Sequence, residues 1–405
     1  MRLVFVMDDL SHQKNGTTMT AVRYADELRR RGHEVRMVGY GAAGPDAFAV
    51  PKHSYPVVDY FTSAQDFVFA EPDDATIAQA LDGADIAHLF LPFKLERAVM
   101  EAARARHIPV SAAFHLQPEN MTYNAHLAHV PAAADAIYRF FRDSFYDKVR
   151  HVHCPSLLVA HDLEANHGYH AQMHAISNGV GPQFTPGVSR HPFNDGLFHI
   201  VTVGRLSPEK SQHTLLEAVA LSVHADRIQV HIAGRGPLEA ELRERGSRLP
   251  HPPQIGFFEG EALVDLLRAG DLYVHASVID SEAISCIEAF SCGLVPVISV
   301  APLSATHQFA LDGRSLFPVG DPQALAERID YWIEHPDERA VASQAYLKEA
   351  QRYTLASCVE QFIAMEEQAI ADDQADYAML ARAQAQEEAA RQALVHDRAF
   401  ERRAS

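Results

Sequence analysis

The sequence predicts an α/β protein built from two doubly wound parallel-sheet domains that face each other across a cleft. Short apolar runs alternate with helical patterns in both halves, a Pro/Gly-rich stretch divides the halves, and 405 residues leave room for two domains of ordinary size. With 47% hydrophobic and 22% charged residues, the chain can bury a sizeable core, which excludes disorder for most of its length. Lys plus Arg number 35 against 53 Asp plus Glu, and the net charge of -18 repels nucleic acid and anionic surfaces. A general nucleic-acid binder is thereby excluded. No apolar run approaches the ~20 residues of a membrane span, and Met1 to Met7 runs into Asp8-Asp9, too short for a secretory leader. The expected location is the cytoplasm. Cys154, Cys286, Cys292 and Cys358 show no CxxC spacing and no disulfide framework.

The elements follow in order. Leu3 to Met7 is a short apolar run, Ser11 to Thr18 a polar loop, and Met19 to Arg31 a helical pattern that Gly32 ends; Glu34 to Val38 reads as a second strand. The rhythm returns with strand Asp85 to Leu91, helix Glu96 to Arg106 and strand Ile108 to Phe114. Runs without polar alternation suit parallel strands covered on both faces. After Asn178-Gly179-Val180, a loop containing Pro182, Pro186, Gly187 and Pro192 is the linker candidate, and a fresh series begins near Phe193. It reads as strand His199 to Val203, helix Ser211 to Ser222, strand Ile228 to Ala233, helices Pro237 to Gly246 and Leu263 to Ala269, strand Leu272 to Ala276, helix Ile284 to Cys292 and strand Val295 to Val300. From Asp372 onward the chain is rich in Ala, Gln, Glu and Arg without sustained heptads, so a solvated helix or frayed tail is expected.

Two motifs carry chemistry. Gly204-Arg205-Leu206-Ser207-Pro208-Glu209-Lys210 follows a strand and precedes a helix, where ligands sit in a doubly wound sheet; Gly204 lets backbone approach a phosphate, and Arg205 and Lys210 can both reach a diphosphate. The bland reading is a turn with solvated charges. In the second, Asp280 stands before and Glu288 within a short helix, eight positions apart. At ~1.5 Å per helical residue they span roughly 10 Å, about a sugar-diphosphate-ribose unit, with the helix-start N–H groups of Ala283, Ile284 and Ser285 between them. One acid can hold a sugar and the other a ribose. The bland reading is helix capping by Asp280, Ser281 or Glu282.

Taken together, these residues resemble the GT-B retaining glycosyltransferases of family 4, glycosyl transferases group 1. The features that carry the likeness are Arg205…Lys210, Asp280…Glu288-Ala289…Cys292-Gly293…Pro296-Val297 and the turn Gly234-Arg235-Gly236-Pro237. The resemblance implies a GT-B fold of two Rossmann-like domains: an acceptor-side domain of residues 1–187, a nucleotide-sugar-binding domain of 188–350, and C-terminal helices of 351–405 whose first part returns to the N-terminal domain. It further implies a cytoplasmic hexosyltransferase that moves a hexose with retention from a nucleotide-sugar donor, for which UDP-glucose is the expectation, to a lipid or glycan hydroxyl. Arg205 and Lys210 would stabilise the departing diphosphate, Glu288 the ribose, and Asp280 or Glu282 the sugar hydroxyls. His115, in Phe114-His115-Leu116-Gln117-Pro118, takes the place of the family's cleft histidine, and Asn15-Gly16-Thr17 that of its glycine loop near the phosphates. The sequence departs from the family at the first acid, Asp280 where Glu is usual, and at Ala283 where Gly is usual.

The remaining signals exclude or compete. No G-x-G-x-x-G fingerprint is present, against a nicotinamide enzyme. The 24 histidines include His126-Leu127-Ala128-His129 and His167-Gly168-Tyr169-His170…His174, neither at a metal-site spacing, and no Asp-x-Asp is placed to hold Mg²⁺; no metal and no cofactor are expected. The aromatic and cationic stretch Tyr138 to Arg150 reads as one amphipathic helix, either packing its aromatics in the core or making a peripheral membrane contact near the acceptor site. A sugar-nucleotide epimerase and a non-catalytic sugar-nucleotide-binding partner share the architecture and stand as alternatives.

Overall fold

The structure is a computed structural model that describes residues 1–11, 16–53, 68–124 and 131–404. Asn15, His126 and His129, singled out above, lie outside the described residues. The first half holds β1 (Arg2–Asp9), β2 (Glu34–Tyr40), β3 (Ala47–Ala49), β4 (Lys52–His53), β5 (Phe69–Ala70), β6 (Ile86–Leu89), β7 (Val110–Ala113), β8 (His151–Cys154) and β9 (Gln172–Ala175). The order β3-β2-β1-β6-β7-β8-β9 makes one parallel sheet, and β4 and β5 form a separate antiparallel pair. The second half holds β10 (Phe198–Val203), β11 (Ile228–Ala233), β12 (Gln254–Gly256), β13 (Leu272–His275), β14 (Ile279–Asp280), β15 (Val295–Val300), β16 (Leu303–Ser304) and β17 (Leu316–Pro318). Its parallel sheet runs β12-β11-β10-β13-β15-β17, with β14 and β16 paired beside it.

Both sheets therefore reverse their winding once, at β1/β6 and at β10/β13. In open α/β sheets ligands bind beyond the carboxyl ends of the strands at such a switch point. Asp9 ends β1 and Val203 ends β10, so Gly16 and Gly204 each follow a strand at its switch point.

The strands are as buried as their apolar runs require. Leu3 to Met7, Val230, Ile232, Val297 and Ile298 are without solvent exposure, and the second domain packs a single core that includes Trp332, Tyr273 and Phe290. On one face of the first sheet the core is closed by the helix Leu355–Ala404, which places Leu355, Cys358, Val359, Phe362 and Met365 against Leu3, Phe5, Met7 and Tyr24. Polar contacts hold the same helix: buried Glu366 accepts from Ser111 Oγ at 2.8 Å and meets His88 Nδ1 at 2.9 Å. Further along, Tyr377 and Met379 are exposed.

The structure corrects two readings of the first half. Gly16 to Thr18, expected in a loop, form the first turn of the helix Gly16–Arg30. Thr18 Oγ1 donates to Asp9 O (2.8 Å), which ties this turn to the end of β1, and Thr20 Oγ1 donates to Gly16 O (2.9 Å) within the turn. The stretch Tyr138 to Arg150 is not one helix: Pro131–Ser144 ends before a tight turn at Tyr146–Lys148. Tyr138, Phe141, Phe145 and Tyr146 are buried, and burial of this density is incompatible with one exposed apolar stripe. Phe140 alone among these aromatics stands out, 55% exposed, with the Arg97 guanidinium 5.1 Å from its ring centre.

Candidate active site

The Gly204–Lys210 segment is shaped by backbone contact. A Cβ at Gly234 would lie 1.9 Å from Gly204 O, and one at Gly236 would lie 2.3 Å from Leu206 O, so only glycine lets the turn after β11 press against this loop. Leu206 N donates to Arg235 O at 2.9 Å and Gln212 Nε2 to Arg205 O at 2.7 Å. The loop then folds through a tight turn at Pro208–Lys210, and Glu209 O accepts from Val278 N at 2.8 Å. That last bond fixes the two motifs to each other. Arg205 is exposed beyond the end of β10, while Lys210 turns inward.

Lys210 and Asp280 meet: Nζ donates to Oδ2 at 2.5 Å. The same Oδ2 lies 3.1 Å from His275 Nε2, whose Nδ1 is 3.3 Å from the hydroxyl of Tyr273; that hydroxyl also donates to Ser285 Oγ at 3.0 Å. Burial alone would raise the Asp280 pKa, but the Lys210 charge and the His275 hydrogen bond hold it well below the usual carboxylate range. Asp280 is thus a fixed anion, and Lys210 keeps two further N–H groups for a ligand. His275 was missed in the sequence. It ends β13 as His115 follows β7, so the strand-end reasoning used for His115 applies to it equally.

Ala283 precedes the helix Ile284–Ser291 at φ 65°, ψ 64°, the left-handed conformation that explains why the family uses Gly there. Ala283→Val is expected to cost about 2 kcal/mol, since a β-branched residue is poorly tolerated at positive φ. Ala283→Gly should be neutral or stabilising by up to about 1 kcal/mol. Urea unfolding measures both, and a Val variant as stable as the native chain would show that the turn carries no such strain.

The two glutamates part company. Glu288 sits in the middle of that helix with its side chain mostly buried, and among the described residues its carboxylate has no hydrogen-bond partner. Burial raises its pKa to about 7, opposed by the charge of Arg23 on the helix Gly16–Arg30 of the other domain. Glu282 points the other way. Its carboxylate takes the hydroxyl of Ser177, Asn178 N (3.0 Å) and Asn178 Nδ2 (2.6 Å), and burial pushes its pKa up to about 8 against the pull of these donors. The acid offered above as a substitute for Asp280 is therefore engaged with the segment after β9.

From the first domain, His115 packs its ring parallel to Phe90 (centres 5.9 Å apart) and edge-on to His153 (5.2 Å), and its buried Nε2 has no partner among the described residues. Burial, with His88 nearby, lowers its pKa to about 3, so the ring is neutral. Two residues on, Gln117 Nε2 reaches Leu303 O at 3.4 Å, and Leu303 pairs with Ile279 in β14/β16. This contact puts the strand end carrying His115 beside the strand carrying Asp280. Asp8 and Asp9 are occupied by backbone: Asp8 accepts from Ala70 N (2.8 Å), Asp9 from Ser11 N (2.9 Å) and Val68 N (3.1 Å). Among the described residues no group of three or more His, Cys, Asp or Glu side chains is arranged to hold a metal ion. His167 stacks on Tyr138 with ring centres 3.6 Å apart, and His174 pairs with His151 instead.

Comparison with known proteins gives the family. Residues 14–184 match the family described as Glycosyltransferase Family 4, and residues 188–349 match Glycosyl transferases group 1. Among characterised relatives, the GDP-mannose-dependent alpha-mannosyltransferase of Corynebacterium glutamicum is 26% identical over 74% of this chain and 72% of its own. That of Mycolicibacterium smegmatis is 25% identical over 82% and 91%. Sucrose-phosphate synthase from Thermosynechococcus elongatus superimposes with a TM-score of 0.71 over 92% of this chain and all (100%) of that one, at 14% identity. Anabaena HepE in complex with UDP and glucose does so with 0.67 over 91% and 100%, at 16% identity. Both are likenesses of fold. With two parallel-sheet domains and both family models matched in sequence order, the chain belongs to the GT-B glycosyltransferases of family 4, glycosyl transferases group 1.

Proposed function

We propose that the protein transfers a hexose from a nucleotide-sugar donor to a hydroxyl of a lipid or glycan acceptor, with retention at the anomeric carbon. The observation that carries this reading is the Lys210–Asp280 pair, fixed at 2.5 Å at the switch point of the second sheet. Arg205 and Lys210 stabilise the departing diphosphate, Gly204 and the amides of Ala283, Ile284 and Ser285 line its path, and Glu288 takes the ribose hydroxyls. Asp280 holds a hydroxyl of the transferred sugar, and neutral His115 its far side. Asp280 is already bound by two partners and Glu282 is buried at the linker, so neither is placed as a covalent nucleophile. Attack from the donor's own face follows, with the leaving phosphate oxygen taking the acceptor's proton. Gly16, at the start of its helix, presents a helix-terminal N–H to the phosphates.

UDP-glucose is the donor we propose. GDP-mannose is the second reading, favoured by the names of the relatives aligned over most of this chain. Thermal shift with UDP-, GDP- and ADP-hexoses separates them, and conversion of donor in the absence of any acceptor would point to an epimerase instead. With Arg205 and Lys210 neutralising the diphosphate, turnover should be unchanged in excess EDTA. Activity lost to EDTA and restored only by Mg²⁺ or Mn²⁺ would overturn that expectation. For a lipid acceptor, the exposed Phe140 with Arg97 is the surface proposed for peripheral membrane contact; no helix among the described residues is long and apolar enough to cross a membrane.

A further inference from the structure

We infer that Glu282 is a positioning residue that clips the interdomain linker to the donor loop and so fixes the angle at which the two sheets face each other during transfer. This rests on the transfer reading above but assigns Glu282 a role outside the donor's own contacts. The side chain is 2% exposed, and every donor it meets belongs to the segment that leaves the first sheet after β9: Ser177 Oγ, Asn178 N and Asn178 Nδ2. On the other side, Glu282 lies between Asp280 and Ala283, and its own N–H approaches Asp280 Oδ1 at 3.4 Å. A shift of the linker is thereby passed to the acid that Lys210 holds.

Two further observations place this clip at the hinge. The chain crosses between domains twice, and the crossings are bonded to each other: Val180 N donates to Tyr353 O (2.8 Å) and Leu355 N to Val180 O (3.0 Å). Ser177 O accepts the hydroxyl of Tyr24 at 2.6 Å, which ties the same linker residue to the helix that Gly16 begins. Beside the clip lies a cavity of about 280 Å³ lined in part by Ser177, Glu282, Phe309, Arg352 and Tyr353, so the linker has room to move when the clip opens.

The test uses the full chain with Glu282→Gln, Asn178→Ala and the double variant. Hydrogen exchange of the linker amides without donor should rise by about tenfold or more in each single variant. kcat should fall by roughly tenfold as the domains lose their register, while affinity for the free nucleoside diphosphate stays within about twofold. The double variant should be little worse than either single one, as expected of two partners in one interaction. Glu282→Asp, which keeps the carboxyl group, should restore part of kcat. Unchanged linker exchange overturns the proposal. So does a loss of donor affinity in Glu282→Gln that Asn178→Ala does not share, because that pattern makes Glu282 a sugar contact. If the native chain transfers no hexose from any donor, the proposed function fails, yet the exchange measurement and its double-variant comparison still decide the clip.

Discussion

Arg205→Ala and Lys210→Ala are each expected to lower turnover by roughly 10²-fold or more, about 3 kcal/mol of transition-state stabilisation, because the charge they supply matters most as the diphosphate departs. The two variants should differ in stability. Arg205 is exposed, so its removal should change the unfolding free energy by less than about 0.5 kcal/mol. Lys210 is bonded to Asp280, whose side chain is 11% exposed, and Lys210→Ala leaves that carboxylate with only His275 and the Glu282 N–H at 3.4 Å. A cost of about 2 kcal/mol at neutral pH follows, below that of a fully buried pair. The sign of its pH dependence is fixed by the depressed pKa: the contribution of Asp280 is present above its unfolded value of ~3.9 and is lost as pH falls through the folded one. The stability gap between Lys210→Ala and the native chain should therefore narrow as pH falls below about 4. Urea unfolding at pH 7 and pH 3 measures it. Near-normal turnover in both variants would reduce the pair to surface charges.

The parts of this fold legible in the sequence are those whose physics is local. β10, β11 and β15 are rich in Val and Ile because both faces of a parallel strand are covered, and they read as His199–Val203, Ile228–Ala233 and Val295–Val300 although His199, Gln229 and His231 are buried among them. β8 is equally buried yet is spelled His-Val-His-Cys, and its histidines are tolerated only through remote partners: His153 Nε2 meets Ile176 O at 2.7 Å and His151 Nδ1 meets His174 at 3.0 Å. Nothing within the run signals this. β14 and β16 are two residues each, too short for any period, although Asp280 depends on them. The site divides in the same way. The spacing of Arg205, Lys210, Asp280 and Glu288 is local and could be read; the direction of Glu282 is set by Ser177, 105 positions away, and could not. Ala283 was legible as a departure from Gly, but not as a residue that keeps glycine's backbone angle.

Asp280→Asn and Glu288→Gln should separate sugar from nucleotide. A ribose contact is made equally in ground and transition states, whereas a contact to the reacting sugar can tighten as positive charge develops on it. Glu288→Gln should weaken nucleoside diphosphate binding by about tenfold with kcat near normal; Asp280→Asn should lower kcat by roughly 10- to 10²-fold with that affinity close to normal. The pKa of Glu288 adds a second signature. Burial raises it to about 7, and ribose hydroxyls donate best to the ionised form, so native affinity should tighten from pH 6 to pH 8. Glu288→Gln should abolish that share of the pH dependence, and whatever remains belongs to the phosphates. Calorimetric titration at the two pH values, beside steady-state kinetics, gives each arm. Should Asp280→Asn be silent while Glu282→Gln loses turnover with linker exchange unchanged, the first acid is Glu282 and the clip is wrong. If neither variant alters turnover and Glu288→Gln leaves nucleotide affinity intact at both pH values, the two acids only shape the helix Ile284–Ser291, and the active site lies elsewhere.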